Sequence, residues 1–496
     1  MVISHGGSPE GGKASYTWRP SLGGAVQPVV RLRSAVCLLG RFPALAGVDL
    51  DVAPGDVVLF SGGNGAGKTT LLRLIAGLVR LHEGQAEVLG HDLSRDRGSH
   101  RRELAFVGHE TFCYDDLTVR ENLLFAARAS GSATSAADAA LERVGLERSA
   151  GVTHSRLSAG QRRRLALAVA LSREPRLLLL DEPHAGLDAE GRAVLDALLT
   201  AAAAENRTVL VASHELDRTR ALASREVVLT AGQANGTFAA ATERSKGARR
   251  SDERPEGRRP RSPGRRASAT REVNLVQEAS LIAGKDLRIE RRSRVTAEQI
   301  LPFGLVVLLL FAFALDPDRG VLRDVAPGLF WVTVLLAALL AVSRSFALEA
   351  ENGARDGLRL SGLDPAAIFL GKAAAVAVEL LALEAVLSVG VIVLFDVALG
   401  SVAPIVLTAL LATVGVASTG TLYGVLAASS GARETLVPVL LFPVVSPVLL
   451  AATRAWEAAI DGVPSEAWPW IGLLAVFAVL YTSIGTLAFG SLLEEA

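Results

Sequence analysis

The second half of this 496-residue chain contains six long apolar stretches. They cover residues 300–315, 325–343, 373–395, 402–428, 435–452 and 468–487. A helix needs about 20 predominantly apolar residues to cross a bilayer, and most of the stretches reach that length. The first and fifth are shorter, and we expect them to extend into their flanks. This half therefore predicts an all-α transmembrane domain of six helices.

A glycine-rich loop in the first half has the spacing G-x-x-x-x-G-K-[ST]. Its residues are Gly62, Gly63, Asn64, Gly65, Ala66, Gly67, Lys68, Thr69 and Thr70. An apolar run precedes this phosphate loop and a helical pattern follows it, as such a loop requires. Its backbone N–H groups cradle phosphates, Lys68 reaches the β- and γ-phosphates, and the Thr69 hydroxyl can bind Mg²⁺. The sequence therefore predicts a nucleoside triphosphate site in an α/β domain.

Composition and charge divide the chain into four parts. Lys and Arg balance Asp and Glu at 51 each, so no overall field points to nucleic acid, which we do not expect as a partner. Residues 1–28 predict a disordered leader, and 29–236 alternate apolar runs with helical patterns, as α/β domains do. Residues 237–272 are rich in Arg and Pro and predict a disordered linker, with contact to anionic lipid as the alternative. Residues 273–496 form the membrane domain.

Four further motifs follow the phosphate loop. In chain order they are Leu157-Ser158-Ala159-Gly160-Gln161, Asp181-Glu182-Pro183 after an apolar strand, Gly186-Leu187-Asp188, and Ser213-His214 after another strand. Asp181 is placed to hold Mg²⁺ and Glu182 to polarise the attacking water. The five elements in this order resemble the Walker A, signature, Walker B, D-loop and H-switch motifs of the ABC-transporter ATPases, with the signature written LSAGQ.

This resemblance implies a P-loop NTPase fold and a mechanism. Two ATPase domains would pack head to tail as a homodimer. Each ATP would lie between Lys68 of one domain and Ser158, Gly160 and Gln161 of the other, with Thr69 and Asp181 on Mg²⁺. Glu182 would be the general base and His214 the γ-phosphate sensor. Lys68, Mg²⁺ and the helix after the signature would supply the charge that phosphoryl transfer requires.

Two positions depart from the family pattern. The loop that usually supplies a Gln to Mg²⁺ reads Gly-His-Glu-Thr at 108–111. Either His109 or Glu110 takes that place, and we favour Glu110 because a carboxylate can still reach Mg²⁺. The residue that stacks on adenine is also displaced, which leaves Phe42 either as that residue or as part of the core.

Lys and Arg placement predicts the orientation of the membrane domain. Basic residues lie before the first span, between the second and third, and between the fourth and fifth: Lys285, Arg288, Arg291, Arg292, Arg294, Arg355, Arg359, Lys372 and Arg433. The opposite connections are acidic or mixed. By the positive-inside rule, both termini and the ATPase domain lie in the cytoplasm, and the chain is a multi-pass protein of the cytoplasmic (inner) membrane.

The segment 344–372 between the second and third spans discriminates among exporters. Its apolar residues recur at helical spacing, which predicts an amphipathic cytoplasmic helix that docks on the ATPase. Its sequence, with Arg344-Ser-Phe, Asp364-Pro365 and Gly371-Lys372, resembles the haem-exporter permease of cytochrome c maturation. The ATPase half resembles the ATPase of the same system. The chain is therefore similar to a CcmA-like ATPase fused to a CcmB-like permease, which implies an ATP-hydrolysing haem translocase for c-type cytochrome biogenesis.

The residue inventory limits how haem could be handled. All eight His, both Cys and the Met lie in the first half, whereas haem iron is normally held by His, Met, Cys or Tyr. Tyr423 and Tyr481 remain in the membrane half, and packing is the favoured interpretation of both. The family resemblance implies partners that hold the iron, namely a haem-handling membrane protein and a periplasmic haem chaperone. The alternatives are export of another amphipathic cargo, a lipid or a drug, and ATP-driven release of the loaded chaperone without transport.

The membrane half contains two further sets of candidates. Glu379 and Glu384 lie inside the third span, where an ionised carboxylate is costly, so both are candidates for coupling or cargo passage. Each could pair with Lys372 or a neighbouring helix. Trp456, Trp468 and Trp470 flank the last external loop. An aromatic belt at the outer interface is the favoured interpretation of these three residues, and contact with haem or a partner is the alternative.

Overall fold

A computed structural model of the chain describes residues 27–205, 207–214, 220, 223–239, 274–315, 319–395, 401–429 and 433–495. An α/β domain comes first and a helical domain follows. Most of the expected leader at 1–28 and nearly all of the expected linker at 237–272 lie outside the described residues.

Ten strands of the described residues form two sheets. They are β1 (Val30–Leu39), β2 (Phe42–Val52), β3 (Val57–Ser61), β4 (Glu83–Val88), β5 (His91–Asp92), β6 (Leu104–Val107), β7 (Leu177–Asp181), β8 (Thr208–Ala212), β9 (Arg225–Thr230) and β10 (Gln233–Ala239). The smaller sheet has the order β2-β1-β4-β5 and is antiparallel. The larger has the order β10-β9-β3-β8-β7-β6 and is parallel from β9 to β6. The predicted α/β architecture is confirmed.

Five helices complete the described part of the first domain. They are α1 (Lys68–Ile75), α2 (Val119–Ser130), α3 (Thr134–Arg143), α4 (Ala159–Ser172) and α5 (Ala189–Ala204). The first follows β3, which is buried along its whole length, as expected for a central parallel strand. Helix α2 begins with a capping box between Thr118 and Glu121, which satisfies two free N–H groups at the helix start. Helices α2, α3 and α4 share a separate apolar core that includes Leu123, Leu141 and Leu165.

In the described residues of the second domain all regular secondary structure is helical. Its helices are α6 (Leu275–Ser293), α7 (Leu301–Ala314, preceded by a π-helical turn, Thr296–Ile300), α8 (Arg319–Ala350), α9 (Ala354–Leu360), α10 (Pro365–Phe395), α11 (Val402–Ser429), α12 (Arg433–Ile460) and α13 (Pro464–Glu495). Each of the six apolar stretches coincides with one of the long helices α7, α8, α10, α11, α12 and α13. The predicted all-α domain is therefore confirmed.

Five helical segments of the described residues are long and apolar enough to cross a membrane. They are Thr296–Ala314, Arg323–Leu360, Pro365–Phe395, Val402–Ala427 and Pro464–Glu495. The remaining stretch, 435–452, lies in α12, where the side chains of residues 433–440 are outside the described part of the chain. The first stretch extends into its N-terminal flank, as expected from its short apolar run.

Helix α6 is an element that the sequence analysis did not identify. It buries Ile282, Lys285 and Ile289 on one face and packs along α10. A Cβ at Gly371 of α10 would lie 2.5 Å from the Ala279 carbonyl oxygen, so only glycine permits this approach. The basic residues near the end of α6 predicted a cytoplasmic flank, and the structure places them on a helix that contacts both domains.

The aromatic residues near the last external loop do not form one belt. Trp456 is buried, its ring stacks on Phe330 at a centroid distance of 4.3 Å, and its Nε1 donates to the Ile405 carbonyl at 3.3 Å. The favoured belt interpretation is therefore wrong for Trp456, because tertiary packing recruits its ring into the core. Trp468 is 53% exposed, which is compatible with an interfacial position.

A close contact between α13 and α10 allows the packing of these two helices to be tested. A Cβ at Gly485 would lie 2.0 Å from the ring of Phe369, a fully buried side chain. We expect Gly485→Ala to destabilise the membrane domain by about 1–3 kcal/mol through overpacking. Gly472→Ala, on the same helix with open space around the added Cβ, is the matched control. Thermal unfolding of the detergent-solubilised chain would contradict the packing if both variants had the same midpoint.

Candidate functional site

Three of the motifs predicted from the sequence meet at the carboxyl ends of strands in the larger sheet. The phosphate loop follows β3, Asp181 ends β7, and His214 comes two residues after β8. Strand β8 lies between β3 and β7, and all three run parallel. Their carboxyl ends therefore lie side by side, which is where open α/β sheets bind ligands.

The phosphate loop depends on glycine at two crowded positions. Gly62 has φ +144°, and a Cβ there would lie 2.2 Å from the Leu229 carbonyl oxygen. Gly67 has φ +100° at the N-cap of α1, and a Cβ there would lie 2.7 Å from the Ala44 oxygen. Lys68 is buried, and its Nζ donates to the carbonyls of Gly62 and Gly63 at 2.7 and 3.1 Å. The loop thus wraps around one ammonium group at the N-terminus of a helix, an arrangement that binds anions.

Glu182 and His214 form a pair beside this loop. The Nδ1 of His214 lies 2.8 Å from a carboxylate oxygen of Glu182. The backbone N–H of His214 donates to the same oxygen, with a nitrogen–oxygen distance of 3.4 Å. The Glu182 side chain is partly exposed and that of His214 mostly exposed. A carboxylate that an imidazole orients at a solvent-accessible edge can accept a proton from water.

The residues around Asp181 fit a bound magnesium ion. Oδ1 of Asp181 is buried and has no hydrogen-bond partner among the described residues. Burial raises the pKa of Asp181, while the neighbouring Thr69 hydroxyl and Lys68 favour its charged form. No group of three His, Cys, Asp or Glu side chains converges within the described ranges. A hydroxyl, one carboxylate and phosphate oxygens are a donor set that Mg²⁺ accepts.

Glu110 contacts the membrane domain in the structure. It is exposed, and a Cβ at Gly353 of the membrane domain would lie 2.9 Å from its Cβ. No hydrogen bond or ion pair joins it to Thr69 or Asp181 among the described residues. Its expected role on Mg²⁺ therefore stays a prediction, and the observed contact is with the membrane domain.

The signature segment begins α4. Ser158 is its exposed N-cap and forms a capping box with Gln161. Gly160 faces Asp188, and a Cβ added at Gly160 would lie 3.2 Å from the Asp188 carboxylate. Asp188 also caps α5, because its carboxylate accepts from the Gly191 N–H at 2.8 Å. The start of this 14-residue helix is exposed, and its free backbone N–H groups can bind an anion.

The predicted docking helix contacts the ATPase domain. Helix α9 lies in the segment 344–372, and Asp356 on it forms an ion pair with Arg73 of α1 at 2.6 Å. The Phe112 N–H donates to the Asn352 carbonyl at 3.0 Å, and Arg173 Nη2 donates to the Leu360 carbonyl at 2.6 Å. The expectation that this segment docks on the ATPase is confirmed.

One polar group near the site escaped the sequence analysis. His154 is fully buried, and its ring lies between Asp115 Oδ1 at 2.6 Å and Thr111 Oγ1 at 3.1 Å. It fixes the chain after Glu110 to the segment before the signature. Burial lowers the pKa of His154, and Asp115 partly offsets this. The sequence contains no motif around His154 that would have predicted this contact.

The structure also gives the exposure or the hydrogen-bond partners of the remaining candidate residues. Phe42 is 80% exposed, so the alternative that it packs in the core is wrong. Glu384 accepts a hydrogen bond from Thr413 at 2.6 Å on a neighbouring helix, whereas Lys372 pairs with Glu349 at 2.6 Å. Tyr481 donates to the Val444 carbonyl at 2.8 Å, as expected for a packing tyrosine.

Both halves match known families. A family model described as "ABC transporter" matches residues 45–185, and one described as "CcmB protein" matches residues 277–495. The two matches cover the domain with the phosphate loop and the domain with the apolar helices.

Known relatives match the first half. The cytochrome c biogenesis ATP-binding export protein CcmA of Bordetella bronchiseptica is 41% identical over 185 residues, which cover 37% of this chain and 83% of that protein. CcmA of Yersinia pseudotuberculosis is 43% identical over 166 residues, 33% of this chain and 76% of that protein. The daunorubicin resistance ATP-binding protein DrrA3 of Streptomyces coeruleorubidus is 39% identical over 204 residues, 40% of this chain and 65% of that protein.

Among solved structures, a dimeric ATP-binding cassette bound to ADP and Pi in a post-hydrolysis state has 26% identity and a TM-score of 0.40. The match covers 43% of this chain and 99% of that chain. The family matches, the coverage of CcmA and the five ordered motifs agree with one another. The chain belongs to the ABC transporter family and combines a CcmA-type ATPase with a CcmB-type membrane domain in one polypeptide.

Proposed function

We propose that this chain is an ATP-hydrolysing transporter ATPase–permease of haem export and c-type cytochrome biogenesis. The observation that carries the proposal is the direct contact between a CcmA-type ATPase and a CcmB-type membrane domain through α9. The relatives' name assigns CcmA to cytochrome c biogenesis. A membrane domain of the matching type in the same chain supports the same assignment.

The working unit in this proposal is a homodimer. One chain has one phosphate loop and one signature segment, and the start of α4 is exposed. Head-to-tail pairing would place each ATP between Lys68 of one chain and the start of α4 of the other, where Ser158, Gly160 and Gln161 lie. The positive end of α4 would then face the γ-phosphate, an interaction that favours anions.

Each residue of the site has a proposed task in hydrolysis. Lys68 and the loop N–H groups hold the phosphates, and Glu182 accepts a proton from the attacking water. His214 orients the Glu182 carboxylate and contacts the γ-phosphate. Mg²⁺, held by Thr69, Asp181 and Glu110, would neutralise phosphate charge. Phosphoryl transfer depends mainly on such positioning and charge stabilisation.

Partners are proposed to hold the haem iron. The segment 273–496 contains no His, Cys or Met, so the membrane domain lacks the usual axial ligands. A haem-handling membrane protein and a periplasmic haem chaperone would supply them. The same observation favours a second candidate function, in which hydrolysis releases the loaded chaperone and haem does not cross these spans.

We also propose the domain division and location inferred from the sequence. The ATPase comprises 29–236, the linker 237–272 and the membrane domain 273–496. Basic residues cluster at one set of connections, which supports a cytoplasmic ATPase and cytoplasmic termini in an inner-membrane protein.

Complementation tests the proposed pathway. We expect this chain to restore haem-stained c-type cytochrome in cells that lack their own CcmA and CcmB but retain the other maturation proteins. A CcmA–CcmB pair known to work in that host is the positive control. Failure by a well-expressed, ATPase-active chain, in a host matched for its partners, would instead favour export of another cargo, a lipid or a drug.

Two single variants test the ATP site. We expect Glu182→Gln to bind ATP with near-normal affinity but to hydrolyse it about 10²–10⁴-fold more slowly, because the amide cannot accept the proton. Lys68→Ala should lose both ATP binding and hydrolysis, because it removes the ammonium group that contacts the phosphates. Equilibrium binding of a fluorescent ATP analogue and phosphate release measure the two effects. Near-normal hydrolysis by Glu182→Gln would contradict the assignment of the base.

A third variant tests coupling through α9. A Cβ at Gly357 would lie 2.7 Å from the Cβ of Phe112, so Gly357→Leu should displace α9 from the ATPase without touching the ATP site. We expect ATP binding and basal hydrolysis to persist while cytochrome c maturation falls at least several-fold. Gly472→Leu, which faces open space, is the control. Normal maturation with Gly357→Leu would show that this contact is not required.

A further inference from the structure

Arg163 lies on the second turn of α4 and is buried among backbone carbonyls. Its Nη1 donates to the carbonyl of Gly108, and its Nη2 donates to that of Glu182 at 2.9 Å. Longer contacts reach the carbonyls of His109 at 3.5 Å and Asp181 at 3.4 Å. No carboxylate forms an ion pair with it among the described residues, and its side chain is only 7% exposed.

The carbonyl that Arg163 Nη2 contacts belongs to a strained residue. Glu182 has φ +47°, a conformation that costs a non-glycine residue free energy and persists only where its surroundings hold it. Its N–H donates to the Ala212 carbonyl at 2.8 Å, and its own carbonyl also accepts from the Ala185 N–H at 3.1 Å. On the side that faces α4, the Arg163 side chain stabilises this backbone through its hydrogen bond to the Glu182 carbonyl.

The other acceptor begins the segment that leads to the membrane domain. Gly108 follows β6, and Glu110 and Phe112, which contact Gly353 and Gly357 of the docking segment, come next. A guanidinium group donates from separate nitrogens in a rigid plane, whereas a lysine donates from a single nitrogen on a flexible stem. Arg163 therefore joins three segments: the helix after the signature, the strand end with Glu182, and the segment that starts at Gly108.

We infer that Arg163 is a positioning residue that holds the backbone of Glu182, and with it the proposed base, in the conformation required for hydrolysis. A buried guanidinium group without a carboxylate is costly unless hydrogen bonds compensate it, and here four carbonyls accept from Nη1 and Nη2 while the buried Nε has no partner among the described residues. Burial lowers the pKa of Arg163, in line with this cost. The inference rests on the proposed role of Glu182 in ATP hydrolysis.

A purely structural role predicts different behaviour. If Arg163 only filled space in the domain, its replacement would lower stability and ATP affinity together. If it positions Glu182, its replacement lowers kcat far more than it lowers ATP affinity, since its shorter hydrogen bonds go to Gly108 and Glu182 and none involves the phosphate loop among the described residues. The ratio between the effects on kcat and on the Kd for ATP thus separates the two roles.

The test uses the full chain in lipid nanodiscs with MgATP. We expect Arg163→Gln to lower kcat about 10- to 100-fold, since a small misplacement of a catalytic group has an effect of that size. The Kd for ATP should change less than threefold. Arg163→Lys, which keeps the charge but donates from a single nitrogen and lacks the planar fork, should fall between wild type and Arg163→Gln. Arg176→Ala is the control, because Arg176 precedes the same strand β7 and, among the described residues, its side chain forms only an exposed ion pair with Glu103.

A double variant makes the result decisive. In the Glu182→Gln background, Arg163→Gln should cause no further loss of hydrolysis, because the two residues act through one group. An additional loss of tenfold or more, a wild-type kcat for Arg163→Gln, or equal losses in kcat and ATP affinity for Arg163→Lys would each overturn the inference. Near-normal hydrolysis by Glu182→Gln alone would instead contradict the proposed base, whatever Arg163 does.

Discussion

The arrangement of the two halves depends on a network of arginine and carboxylate groups between the end of α13 and the end of α1. Glu494 accepts from Arg101 Nη2 at 2.9 Å and from Arg359 Nη2 at 3.0 Å. The same two arginines donate to the carbonyls of Gly77 at 2.7 Å and Leu78 at 3.3 Å, just after α1. Both arginines are buried, and Arg359 also pairs with Asp356 at 3.2 Å, so removal of Glu494 would leave mainly the charge of Arg101 uncompensated, which is destabilising.

This network connects the nucleotide site to the membrane domain over a short distance. Helix α1 begins with Lys68 in the phosphate loop and includes Arg73, which pairs with Asp356 on α9. An eight-residue helix is about 12 Å long. Any displacement of α1 when phosphates bind at its N-terminus would act on α9 and α13 at its other end. The membrane domain therefore contacts the region of α1 both through the docking helix and through Glu494.

Local sequence patterns predicted the parts of the site that local chemistry determines. The phosphate loop follows from glycine spacing, and the membrane helices follow from apolar length. Contacts between segments distant in sequence left no comparable signal. Arg163 acquires its contacts only when the ends of β6 and β7 come together, and His154 only when its segment packs on Thr111 and Asp115. Trp456 enters the core because Phe330 lies beside it. Helix α6 was missed because its polar residues resemble a simple basic flank.

Buried charges explain how α6 is held where the membrane domain meets the ATPase. Lys285 pairs with Asp286 at 2.6 Å, and Asp286 lies 3.6 Å from Lys372, which also pairs with Glu349. Two positive and two negative groups thus balance across α6, α8 and α10. The Lys285 ammonium lies 4.0 Å from the centre of the Tyr114 ring, four residues after Glu110. Because these groups are largely buried, separation of one from its partner would leave an uncompensated charge, which favours keeping the three helices in contact. Tyr114 adds a contact between the ATPase and this cluster.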